Sequence, residues 1–590
     1  MRVGSNLVRL GVSLGAVLLL AFAVPRRAAA EWPPCGRAIA TAPGAQEHSA
    51  AATDGAGGAI ITWHDARFPS VNIFAQHVLA SGALDAAWPV DGQALLTDSL
   101  ALRSADGGQI SPVIVPDGEG GAIVAWEDNR SPVTETDVFA QHILASGAVD
   151  RAWPADGAPL SVTAGLQNTL VIAADGTGGR GVAGGAFVVW MDTRPGTSVV
   201  DIFAQHVLGT GHVDPRWPAN GLAVCAAPGR QEFPVVVEDG SGGVIVAWDD
   251  LRSSTTGDDV FSQHVLASGA VDPAWPANGR ALCTAPGDQG RPTIASDGAQ
   301  GAIVAWTDGR TANSFHIFAE HVLATGVVDP AWPTNGRGIS AAGVIESRPL
   351  AVSDGQGGAI VNWQGFTVHL NMFAQHIQAS GVVDPAWPAG GRALSHRDRV
   401  QDLAEIVPDG SGGAVVAWND SNDVVAQHVL ATGVLDAAYP DGGRRLCDLD
   451  DQRGDVALVA TGAGGAIAAW TDTRNGKDTD IYAVQILEAE PLDVPGVGGP
   501  KAVFLASSPN PARGSLMLRF ALPQEGEARL SIYDLSGRRV RELISGARPA
   551  GAQSIAWDLR DANGIAVRPG LYFARLEAAG RSLTQRLATR

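Results

Sequence analysis

One pattern decides what this chain can fold into: an apolar run ending in tryptophan, as in "GGAIVAW", that returns at regular intervals. It places Trp63, Trp126, Trp190, Trp248, Trp306, Trp363, Trp418 and Trp470 at the ends of eight units of 52–64 residues. A second aromatic follows in "AWP" or a close variant, at Trp88, Trp153, Trp217, Trp275, Trp332, Trp387 and Tyr439. From that aromatic to the next "VAW" tryptophan is 31 residues in five of seven cases, with 38 and 37 in the others. A histidine in "DIFAQHVL" and its near-copies always stands 11 residues before the "WP" or "YP" aromatic. The gap from "VAW" tryptophan to that histidine varies from 10 to 16 residues. The unit is therefore a fixed framework with one variable connection.

Each unit reads as four short strands. "RPTIAS" runs through a "DGAQGG"-type turn into "AIVAW", then the variable loop, "IFAQHVL", an "ASGAVDPAWPANG" turn region, and "RALCT". Glycines stand where hairpin turns need positive φ, and no stretch carries a helical period. Four strands per unit of this length predict the blades of a β-propeller. Strands covered on both faces by neighbouring blades explain why "AIVAW" is apolar without alternation. The fold class expected is all-β: an eight-bladed β-propeller closed by an N-terminal strand, followed by a C-terminal Ig-like β-sandwich. Closure is suggested by "EWPPCGRAIATAPGAQ" from Glu31, which matches "AWPANGRALCTAPGDQ" from Ala274, while the eighth unit stops after its third strand, "DIYAVQIL". Complementary half-units at the two ends can pair and leave no free edge. An open solenoid would leave them unexplained.

Residues 1–30 read as a signal peptide: Arg2 and Arg9, an apolar run from Leu10 to Val24, then Ala28–Ala30 before the expected cleavage site. No later segment is long and apolar enough to span a bilayer. The net charge is −20 overall, and residues 501–590 carry 14 basic and 7 acidic groups, so residues 1–500 hold −27. An acidic body of this size argues against nucleic-acid binding. Of the four cysteines, Cys225, Cys283 and Cys447 each fall eight residues after a "WP" or "YP" aromatic. Equivalent positions in separate repeats are too far apart to bridge, so buried free thiols are expected, with Cys35 lacking an evident partner.

Few motifs carry chemistry. GxGxxG at Gly176, Gly178 and Gly181 precedes the strand-like "AFVVW" rather than the helix a dinucleotide site requires. HExxH, GxSxG and CxxC are absent. "DGxGG" offers one carboxylate per turn, too few for calcium. The "WxDxR" pairs Asp65/Arg67, Asp128/Arg130, Asp192/Arg194, Asp250/Arg252, Asp308/Arg310 and Asp472/Arg474 have two readings. Either they cap turns and pair within the fold, or they form a polar ring at the channel mouth, a possible ligand face. The variable loop, such as "EDNRSPVTETD", should lie on the face of the crossover loops and build an uneven surface. The repeated histidines share a strand face with apolar neighbours and lie in different blades, so a hydrogen-bonded packing role is expected rather than a shared metal. No catalytic residue, metal site or cofactor is expected.

"EAEPLDVPGVGGPK" reads as a linker over 488–502. Beyond it, "SSPNPARGSLMLRFALP", "IYDLSGRRVREL", "WDLRDANGIAVRPGLYFARL" and "SLTQRL" resemble the Ig-like domain of hook-capping proteins and the type A sorting domain of the type IX secretion system. The resemblance covers about 503–590 and implies a seven-stranded sandwich engaged by secretion or sorting machinery. Residues 31–487 resemble uncharacterised exported bacterial repeat proteins of propeller type. Together these imply a secreted or outer-cell-surface scaffold that binds an extracellular protein or glycan without catalysis. The alternative is a secreted hydrolase acting on glycan or peptide at the channel mouth.

Overall fold

The computed structural model describes residues 32–486 and 503–589 apart from short internal stretches. The expected signal peptide and linker lie outside the described residues. Among the described residues every regular element is a strand, and no helix is long and apolar enough to cross a membrane.

The repeats fold as eight antiparallel four-stranded sheets. In the first, Gln46–Thr53 is innermost, followed outward by Ala59–Asp65, Asn72–Val78 and the short Gln93–Ala94. The innermost strand of each sheet packs against those of the sheets before and after it, and Arg453–Ala460 of the eighth returns to Gln46–Thr53. The sheets thus form a ring, a β-propeller. Arg37–Ala40 supplies the outer strand of the eighth sheet, with Arg37 opposite Ala483 and Ala38 opposite Tyr482.

Packing between blades accounts for the unbroken apolar runs. In "AIVAW" of the second blade, Val124 and Trp126 join Ile60 and Ile73 of the first. Ile123 and Ala125, alternate residues of the same strand, join Val188 and Trp190 of the third. Every tryptophan of this series is fully buried. Gly92 shows how tight the contact is: at φ 90°, a Cβ there would stand 2.5 Å from the Trp63 ring, so only glycine fits. The same core runs across the seam, where Ile39, Ile61 and Trp63 pack with Ile467 and Ala469.

Residues 503–589 form seven strands in two sheets, one of three strands and one of four. Leu518, Phe520, Leu530, Ile532, Trp557 and Leu576 fill the space between them.

The cysteines require a correction. Cys225 and Cys283 are buried free thiols, as expected, and burial pushes each up to about 12. Cys35 and Cys447, however, form a disulfide. The position eight residues after one blade's aromatic does not meet its own equivalents; it meets the position three residues after the next blade's aromatic. Cys225 Sγ accordingly lies 3.6 Å from the carbonyl of Asn278. At the seam that neighbouring position is Cys35 instead of asparagine.

Candidate functional site

Every antiparallel sheet brings the start of its first strand, the end of its second and the variable loop to one face of the ring. The crossover loops share this face and bond to the variable loops: Gln289 donates its backbone N–H to the Asp258 carbonyl, and Gln231 to that of Val200. The "WxDxR" pairs also end here. Their aspartates Asp65, Asp128, Asp192, Asp250, Asp308 and Asp472 are all 0 % exposed. In each, the tryptophan Nε1–H donates to one carboxylate oxygen at 2.8–2.9 Å. Arg67, Arg130, Arg194, Arg252, Arg310 and Arg474 grip the same carboxylate through Nε at 2.7–2.9 Å and again through Nη2. Each guanidinium lies 3.5–4.1 Å over the Phe or Tyr of the third strand and bonds a carbonyl of the outer turn, such as Asn220 or Cys35. In the seventh blade Asp420 keeps its cation from elsewhere: Arg397 reaches across at 3.0 Å. These groups stand in the outer half of each blade, away from the axis, with their charges engaged.

The repeated histidines are also engaged. His77, His142, His206, His264, His321, His376 and His428 each sit between two aspartates at 2.8–3.1 Å. One aspartate comes from the "DGxGG" turn and one from the "VD" turn, so for His142 the partners are Asp117 and Asp150. Burial opposes the charge on His142, but the hydrogen bonds it donates to the two carboxylates prevail and hold its pKa above the usual imidazole range. The eighth blade has Gln485 in place of the histidine and Thr461 in place of the turn aspartate, so the pair is lost together.

What differs from blade to blade is the axial mouth. Each innermost strand carries a bulge near its start, where the register slips, as between Glu47 and Ala50 or Glu232 and Val235. The bulge residues are His48, Ser111, Thr169, Phe233, Arg291, Arg348, Leu403 and Asp455, all with φ between 47° and 55°. Left-handed backbone at a non-glycine residue costs about 1–3 kcal/mol, and eight such residues ring one axis. Side chains of the preceding blade secure some of them: Glu127 accepts the N–H of Thr169 at 2.9 Å, and Asp249 that of Arg291 at 3.1 Å. Six of the bulge residues line or border a cavity of about 580 Å³, which continues into a second of about 410 Å³ walled by Val113, Val171, Val235, Thr293 and Glu405.

Two carboxyls near this mouth, Asp249 and Glu405, are held above the ordinary carboxyl range. Burial pushes Asp249 up to about 8, and its Oδ1 has no partner. Glu405 lines both cavities and is exposed there, and desolvation by the protein around it raises it to about 7. In the first blade, strand pairing sets Glu47 opposite His64, with Nε2 and Oε2 3.6 Å apart. The His48 ring stands 4.6 Å from that of His64. Sequence reasoning missed this cluster because Glu47 and His64 meet only through the hairpin register. A comparison of equivalent repeat positions would have shown three metal-ligating residues, one glutamate and two histidines, coinciding there.

Residues 512–582 match the FlgD Ig-like domain family, as the sequence resemblance had implied. No curated protein matches the chain. Among solved structures, the BP39L lectin from Burkholderia pseudomallei is similar at 12% identity and TM-score 0.40, over 68% of this chain and 99% of the lectin. A polysaccharide lyase of family PL25, an ulvan lyase, is similar at 10% identity and TM-score 0.37, over 75% of this chain and 94% of the lyase. FlgD from P. aeruginosa is similar at 23% identity and TM-score 0.12, over 15% of this chain and 75% of its own. Identities of this order speak to the fold alone.

Proposed function

We propose that this chain is an exported propeller that binds an extracellular glycan or protein at its axial mouth, with the C-terminal Ig-like domain serving secretion or surface anchoring. The observation that carries the reading is the contrast between framework and mouth. The Trp–Asp–Arg and Asp–His–Asp sets are copied from blade to blade, whereas eight equivalent bulge positions hold seven different residue types, and six of these positions line one cavity. Strained backbone kept at variable positions marks a site under functional demand. A mixture of aromatic, cationic, anionic and hydroxyl groups suits a polar ligand with apolar faces. In this reading the "WxDxR" pairs hold the turns from which the variable loops spring, and the signal peptide and tail place the protein outside the cell.

A second reading, a hydrolase, is favoured by Asp249 and Glu405, whose raised pKa values suit proton donation near neutral pH. Both readings are tested by probing the full chain against arrays of glycans and peptides and assaying each ligand found for cleavage. We expect saturable binding that weakens at least about tenfold (about 1.4 kcal/mol) in Leu403→Ala and Arg348→Ala, both of which line the cavity. Binding indifferent to both substitutions would overturn the site. Turnover lost in Asp249→Asn or Glu405→Gln would replace the binding reading with the hydrolase. Deleting residues 503–590 should abolish surface delivery; unchanged delivery would refute the sorting role.

A further inference from the structure

We propose that Glu47, His48 and His64 form a binding site for a divalent transition-metal ion of the zinc type at the rim of the axial mouth. The three side chains come from one hairpin. Glu47 and His64 are opposite partners in adjacent strands, and His48 follows Glu47 at the bulge. In a regular strand, neighbours point to opposite faces, so Glu47 and His48 would diverge. The bulge suspends that alternation, and one ligand atom from each of the three residues lies within 4.8 Å of the others.

The dimensions suit a small ion. Donors about 2.0–2.1 Å from a tetrahedral zinc stand roughly 3.3–3.5 Å from each other. Glu47 Oε2 and His64 Nε2 are already 3.6 Å apart, too far for a hydrogen bond and close to one edge of that tetrahedron. The His64 side chain is 13% exposed and turns Nε2 toward the Glu47 carboxylate, so this donor is held in place by its surroundings.

Outer contacts resemble those that support metal ligands. The Thr479 hydroxyl donates to Glu47 Oε1 at 3.0 Å, leaving Oε2 free to face His64. The Asp455 carboxylate lies 3.8 Å from His48 Nδ1. Nothing in the repeat demands this set. The positions equivalent to Glu47, His48 and His64 are Gly290, Arg291 and Thr307 in the fifth blade, and Gly454, Asp455 and Thr471 in the eighth. Two imidazoles with one carboxylate favour zinc, copper, nickel or cobalt over calcium or magnesium, which take oxygen donors. Three protein ligands leave a coordination position open toward the cavity that His48 lines. The inference stands apart from the proposed ligand, because the metal alone is its probe.

The test is calorimetric titration of the untagged, chelator-stripped full chain with zinc chloride, paired with cobalt substitution read by visible absorption. We expect one ion per chain and a tetrahedral cobalt spectrum. His64→Gln, His48→Gln and Glu47→Gln should each weaken uptake at least about tenfold, and Thr479→Val by roughly tenfold. His212→Gln, at an exposed histidine bonded only to the Thr210 carbonyl, should change nothing. His48 and Glu47 lie at the surface, so their variants stay informative even if His64→Gln disturbs folding. No saturable uptake by the wild-type chain, or uptake unchanged in both His48→Gln and Glu47→Gln, would overturn the proposal.

Discussion

At the scale of single residues, the repeated charges work as internal fasteners. Asp308 takes Trp306 and Arg310 while fully buried, so Asp308→Asn strands the guanidinium against the Phe318 ring. We expect a loss of about 3 kcal/mol in urea unfolding, in the range for breaking a buried pair; a loss near zero would mean that the pair is dispensable. The Asp–His–Asp clamps make stability depend on pH. The His142 pKa is raised above 6.5, so its contribution is complete below 6.5 and fades as pH climbs through the higher folded value. Burial acts against Asp117, but the bonds from His142 and two backbone amides lower its pKa below 3.8, so its contribution fades as pH falls through that lower value. The melting temperature should therefore be highest in mildly acidic buffer and decline above neutrality, with a flatter profile in His142→Gln. A melting temperature that rises from pH 6 to pH 9 would contradict the clamp. The packing role of these histidines was legible from strand alternation. One of the two acids was also within reach, since His142 and Asp150 stand eight residues apart and the same spacing recurs in each clamped blade. The other lies across a turn of variable length and needed the fold.

At the scale of the element, the four strands per blade followed directly from the sequence, but the bulges did not. A signal was present: Pro112, Pro234, Pro292 and Pro349 each follow a bulge residue, and proline inside a strand pattern marks an edge or a bulge. Leu403 gave no warning, because its side chain does not favour left-handed backbone and no proline follows it. Leu403→Gly tests whether the strain is carried for function. Relief of the backbone offsets the added freedom of the unfolded chain, so stability should hold steady or rise by about 1 kcal/mol. Ligand binding at the mouth should weaken in the same variant. A stability loss well beyond 1 kcal/mol would show that the leucine serves the fold instead.

At the scale of the whole molecule, closure of the ring by the N-terminal strand was readable from its complementary half-units. The disulfide was not, because cysteines were compared at equivalent positions and the bridge joins positions that become adjacent only between neighbouring blades. Cys35 and Cys447 are 412 residues apart, so the bond ties the seam where the N-terminal strand completes the eighth sheet. Cys35→Ser should cost roughly 2–5 kcal/mol, with amide exchange rising first in Arg37–Ala40; uniform exchange around the ring would argue against a seam lock. The Asp–His–Asp clamps, the Trp–Asp–Arg sets and the seam together hold the frame around a mouth whose residues vary. Hydrogen–deuterium exchange with and without a saturating ligand from the array tests that division most directly. We expect protection at the bulges and variable loops of the mouth face, and none at the "DGxGG" turns opposite. Protection confined to the "DGxGG" face, with the bulge ring unchanged, would contradict it.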